Sequence, residues 1–109
     1  MSSEVRVPDD PVRLAAEATV LGIQEQVIEL TARREILQMR RRHQLARGDT
    51  AAADQTQREL AALPDAARLL IQLDIERLQY RSADPVVQSR IDAMFRETTE
   101  MVRTYLGRN

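Results

Sequence analysis

The sequence contains no cysteine, no tryptophan and no lysine, and only three glycines and three aromatic residues. Without cysteine there are no disulfides, no thiolate metal sites and no cysteine nucleophile. With three glycines the chain can hardly build a glycine-rich phosphate loop, and no nucleophile elbow or metal-ligand cluster is present. No cofactor is expected. The aromatics are Tyr80, Phe95 and Tyr105, so a core must be made of Leu, Ile, Val, Met and Ala, which is helix-bundle material. No apolar run reaches the ~18 residues a membrane span needs. Residues 1–10 are polar and acidic and lack the apolar region of a secretion signal. A cytoplasmic protein that does not enter a membrane is the expectation.

What is present is charge, unevenly placed. The net charge is −1, which gives no global bias toward nucleic acid. Residues 1–32, however, carry two arginines and six acids, and residues 33–47 carry six arginines and one acid. Every basic side chain except His43 is arginine, and nothing in the chain explains that physically.

At 109 residues the chain is one domain with a small core. Its punctuation is clear. Asp10-Pro11 joins an N-cap acid to proline at the first helical position. Residues 1–9 are expected to form a disordered arm, with a single helical domain over 10–107. A first helix runs to about Arg47, where Gly48-Asp49 supplies a terminal glycine and a new cap. A second helix, rich in Ala and Gln, covers about Thr50 to Leu63 and is expected to be the least anchored. Pro64-Asp65 starts a third segment, unless Pro64 merely kinks one continuous helix. Asp84-Pro85 starts a fourth, ending at Gly107. No period-2 strand pattern occurs. The fold class is therefore all-α, an elongated bundle or hairpin with one long N-terminal helix and two or three shorter ones.

The first helix carries two apolar stripes on nearly opposite sides. At 100° per residue, Ala16, Val20, Ile23, Val27, Leu30 and Leu37 share one side, and Leu14, Leu21, Ile28, Ala32, Ile36 and Met39 share the other. A surface helix needs one stripe. Two stripes imply two partners, and at ~55 Å the helix is too long to hide in a compact domain. It either breaks, near Gly22, or belongs to an elongated molecule covered by a second copy, with a dimer favoured. The expected subunit seam is Val20, Ile23, Val27, Leu30 and Leu37, with the opposite stripe packed on helices 3 and 4. In helix 4 a 4-3-4-3-4 spacing predicts a seam of Val87, Ile91, Met94, Thr98, Met101 and Tyr105, widened by Phe95, Val102 and Leu106. Helix 3 divides into Ala66, Leu69, Leu70, Leu73 and Tyr80 on one side and Ala67, Ile71, Ile75 and Leu78 on another.

Arg33, Arg34, Arg40, Arg41, Arg42 and Arg47 are the candidate contacts for an acidic or phosphate-bearing partner. Cations also offset the dipole of a helix C-terminus, by ~0.3–1 kcal/mol each. No aromatic lies among them to stack a base. His43, alone among arginines, is expected to be a solvated side chain rather than a metal ligand. The sets Glu25, Glu29, Arg33 and Asp92, Arg96, Glu100 have the spacing of surface ion pairs.

Two short segments resemble known families. Leu30-Thr31-Ala32-Arg33-Arg34-Glu35 resembles the first helix of AroQ-type chorismate mutases, which implies a small helical enzyme with Arg33 in its active site. That family places a catalytic lysine further along the same helix, and this chain has none. The order of helices, with Arg47-Gly48-Asp49 and Asp84-Pro85-Val86-Val87-Gln88, is similar to the helical competence and biofilm regulators of the YlbF/YmcA type, which implies regulatory partner binding. The family's usual break within the first long helix is not evident. The functional expectation is a non-enzymatic interaction module, an adaptor, chaperone or regulator, that self-associates through helix 1. The alternatives are a nucleic-acid-binding regulator using the arginines, then a chorismate-mutase-like enzyme.

Overall fold

The computed structural model describes residues 10–107, so the expected N-terminal arm at residues 1–9 lies outside the described residues. Among these residues the chain is four helices and no strand: α1 (Pro11–Ala46), α2 (Thr50–Ala62), α3 (Ala66–Gln79) and α4 (Pro85–Leu106).

Each helix starts on an aspartate. Asp10 Oδ1 accepts from the backbone N–H of Val12 at 2.8 Å. Asp49, Asp65 and Asp84 accept in the same way from Ala52, Arg68 and Val86 at 3.1, 2.9 and 2.9 Å. A carboxylate there satisfies an orphan donor and meets the positive end of the helix dipole. At the other end of α1, Gly48 takes φ 75°, a left-handed conformation that glycine adopts without a Cβ penalty. Its N–H donates to the Leu45 carbonyl at 3.0 Å, and the Asp49 N–H reaches back to the Gln44 carbonyl at 2.9 Å. These two bonds close a Schellman turn and reverse the chain.

The helix does not break at Gly22; α1 is continuous over 36 residues. Pro64 does break the helix. Leu63, just before it, is extended with ψ 143°, as a residue preceding proline prefers.

α2 runs back along α1, where Thr56 Oγ1 donates to Gln44 Oε1 at 2.7 Å and Arg40 pairs with Glu59 at 3.5 Å. α3 continues in the same direction, bringing Tyr80 Oη to 2.6 Å from Thr19 Oγ1. α4 then returns parallel to α1. Ser82, just ahead of it, reaches Asp10 at 3.5 Å, and Gln24 Nε2 donates to Thr98 Oγ1 at 3.0 Å. The architecture is an up-down-up bundle whose middle arm is cut in two at Pro64.

The helices are unequal in length, and this sets the shape. α4 ends beside residues 31–35 of α1, where Thr31, Ala32 and Glu35 line one groove with Met101 and Tyr105. α2 and α4 do not touch. Beyond that point α1 and α2 stand as a two-helix hairpin with no third layer. The molecule measures 69 × 32 × 19 Å with a radius of gyration of 19.4 Å. A compact domain of this length would be near 13 Å.

The main core lies under α4. It is made of Ala16, Val20, Ile23 and Val27 from α1, Leu69 and Leu73 from α3, and Val87, Ile91, Phe95, Val102 and Leu106 from α4. In the hairpin only Leu37, Ala53 and Thr56 are buried.

Two expectations are corrected. The stripe expected to meet a second subunit, Val20, Ile23, Val27 and Leu37 with the half-buried Leu30, is filled from within the chain by α2, α3 and α4. The stripe expected to pack on α3 and α4 is the one that faces outward. The α4 seam also turns: the buried row is Val87, Ile91, Phe95, Thr98, Val102 and Leu106, while Tyr105 is 55% exposed. That row repeats every 11 residues rather than every seven, close to the 3.67-residue period of a helix that stays in contact without left-handed supercoiling.

Candidate interaction surfaces

The first surface is the outward stripe of α1. Leu14, Leu21, Ile28, Ile36 and Met39 are 45–62% exposed. From Leu14 to Met39 the stripe runs ~38 Å along the helix. Beside its middle, Ile28 and Ala32 form an apolar groove of about 350 Å³ with Val27, Met101 and Tyr105. Isolated exposed leucines are ordinary, but apolar residues aligned along one face of a helix are what interfaces are made of. A smaller strip, Ile71, Ile75 and Leu78, lies outward on α3, the division of that helix its spacing predicts.

The second surface is the arginine-rich hairpin. The fold separates the six candidate arginines rather than gathering them. Arg34, Arg41 and Arg42 line one side of the α1–α2 pair, together with Gln38, Gln57, Leu60 and Ala61, around a groove of about 530 Å³. Arg40 and Arg47 lie on the other side with His43, and Arg40 is paired there with Glu59. Arg33 is further toward the core, in a groove with Glu29, Arg68 and Gln72. Among the described residues, no carboxylate comes within 4 Å of Arg34, Arg41 or Arg42.

His43 is exposed, as expected of a solvated side chain. The two charge ladders do not form ion pairs among the described residues; Arg13–Glu17 at 3.3 Å and Arg103–Glu100 at 2.9 Å do, and Asp92 instead accepts from Gln88 at 3.1 Å. The described residues hold no group of three metal-ligating side chains and no helix long and apolar enough to cross a membrane. Phe95 is core, with its ring 6.0 Å from that of Tyr80.

Sequence reasoning missed one property of the hairpin groove, that it follows the line of α4. On α1, the row Val20, Val27 faces the main core. Seven residues on, the same row reads Arg34, Arg41. The heptad continuation was readable, but the point at which α4 stops was not. No known family model, no curated protein and no solved structure matches this chain.

Proposed function

We propose that this protein is a non-enzymatic helical interaction module that self-associates through the outward face of α1. The observation that carries this reading is the exposed stripe Leu14, Leu21, Ile28, Ile36 and Met39 on a helix whose opposite apolar stripe is already buried within the chain. A second copy is the occupant, because a stripe on one continuous helix is matched by the same stripe on its two-fold mate.

The magnitudes favour a dimer of limited strength. Burying the exposed half of each of these side chains gains roughly 1 kcal/mol, hence on the order of 10 kcal/mol for a symmetric pair. Association costs ~4–15 kcal/mol in lost freedom. The dimer is therefore expected to dissociate on dilution.

The test is light scattering coupled to size exclusion across a dilution series, on the native chain and two neighbouring variants. Ile28→Glu places a charge on the outward stripe and is expected to give a monomer of unchanged helicity by circular dichroism. Val27→Glu places one in a fully buried position and is expected to unfold the chain. A native chain that is monomeric at high concentration, or an Ile28→Glu variant with undiminished mass, rules the reading out.

A further inference from the structure

We infer that the arginine-lined groove on the α1–α2 hairpin is the vacant third-helix position of the bundle, and that it takes an acidic amphipathic helix from a partner protein. The inference does not depend on whether the chain self-associates, because this groove and the outward stripe lie on different sides of α1.

The first argument is continuity. α4 packs on α1 through the turns that carry Val20, Gln24 and Val27, and it ends beside Thr31. The same rows of α1 continue at heptad intervals as Arg34, Gln38 and Arg41, and these are the residues that line the groove. On its far wall α2 supplies Gln57, Leu60 and Ala61. The groove is thus bounded by two antiparallel helices, in line with the position α4 fills further along. Residues 33–46 give it a length of ~20 Å, enough for a helix of three to four turns.

The second argument is chemistry. Where α1 meets α4 one row reads Val20 and Val27; where it faces the vacant position the same row reads Arg34 and Arg41. Arg34 and Arg41 are half-buried and Arg42 is exposed. None has a carboxylate within 4 Å among the described residues, whereas Arg40, on the opposite flank, is paired with Glu59. Arg34 and Arg41 are ~10.5 Å apart along the axis, the separation of residues i and i+7 on a docked helix. Guanidinium forks on that spacing bind carboxylates of such a helix bidentately. Leu60 and Ala61 offer its apolar side a contact. Nucleic acid fits less well, because none of the three aromatics lines the groove to stack a base.

The experiment is fluorescence anisotropy of the full chain with a labelled, capped 14-residue peptide of glutamate and leucine at helical spacing. Two further probes are the same peptide with a central proline and a 14-nucleotide single-stranded DNA. The amphipathic peptide is expected to bind, with affinity at least tenfold above that of the proline-broken one. Arg34→Glu with Arg41→Glu is expected to lose at least tenfold more, and the milder Arg34→Gln with Arg41→Gln pair to weaken binding in the same direction. Arg40→Glu with Arg47→Glu, on the other flank, is expected to stay within about twofold. Equal binding of the proline-broken peptide, or equal losses from both flanks, overturns the inference in favour of diffuse charge attraction. Tighter binding of the DNA, lost in the Arg34 and Arg41 variants, overturns it in favour of a nucleic-acid site. No binding of the amphipathic peptide at low salt overturns it outright.

Discussion

Gly22 is exposed in the middle of α1, and a Cβ placed on it would meet nothing within 4 Å. Its backbone is helical, so it has the conformational cost of glycine with no structural return. Gly22→Ala is expected to stabilise the chain by about 1 kcal/mol, chiefly by restricting the unfolded state. In a domain of this size that raises the midpoint of thermal unfolding by about 4–8 °C. Gly48 has the opposite character: at φ 75° an alanine is strained, and Gly48→Ala is expected to lower the midpoint. Thermal melts of both variants check the pair, and a Gly22→Ala variant that melts lower would mean that α1 needs flexibility there. At this scale the sequence was almost fully legible. Asp10, Asp49, Asp65 and Asp84 cap the helices at the places where aspartate adjoins proline or glycine, because capping is decided within four residues.

At the scale of elements, the helices were legible and their facing was not. Both stripes of α1 are apolar, and hydrophobicity alone does not choose between them. A subtler signal was present. The buried side has an apolar residue in every turn, at Ala16, Val20, Ile23, Val27 and Leu30, whereas the outward side begins with one in every second turn, at Leu14, Leu21 and Ile28. Closely spaced knobs suit a permanent core, and Ala16, fully buried, has the small side chain that lets helices approach. In α4 the seven-residue spacing misleads because the buried row follows an 11-residue repeat rather than coiled-coil geometry. The expectation for α2 follows from its composition and from the shape. It buries only Ala53 and Thr56, and α4 does not reach it. Backbone amides of α2 are therefore expected to exchange with deuterium fastest among the four helices, through opening of the hairpin without global unfolding. Protection in α2 equal to that of the α4 core turns would mean that the hairpin is covered in solution.

The whole molecule combines an elongated shape with a lengthwise charge gradient, and together they fix how two copies are expected to meet. Residues 10–32 carry one arginine against four acids; residues 33–47 carry six arginines against one. Glu17, Glu25 and Glu29 flank the outward stripe in its first half, and His43 and Arg47 flank it in the second. A parallel pair sets each half against its like. An antiparallel pair sets the acidic half of each copy along the basic half of the other, and still matches stripe to stripe. At the ~10 Å Debye length of 0.1 M salt these flanking charges lie within reach of one another. The absence of native cysteine makes the orientation directly measurable. Leu14→Cys and Met39→Cys place single thiols at the two exposed ends of the stripe, where neither disturbs the core. In a mixture of the two variants, oxidation or a short bismaleimide is expected to link the one to the other, and to link either variant to itself far more slowly. Preferential self-linking of Leu14→Cys would establish a parallel dimer and leave self-association standing. Absence of any linkage, with monomeric mass at high concentration, would remove self-association itself, so the two failures are told apart by one set of samples. High salt provides the complementary check: it is expected to weaken an antiparallel pair, in which opposite charges adjoin, and to strengthen a parallel one.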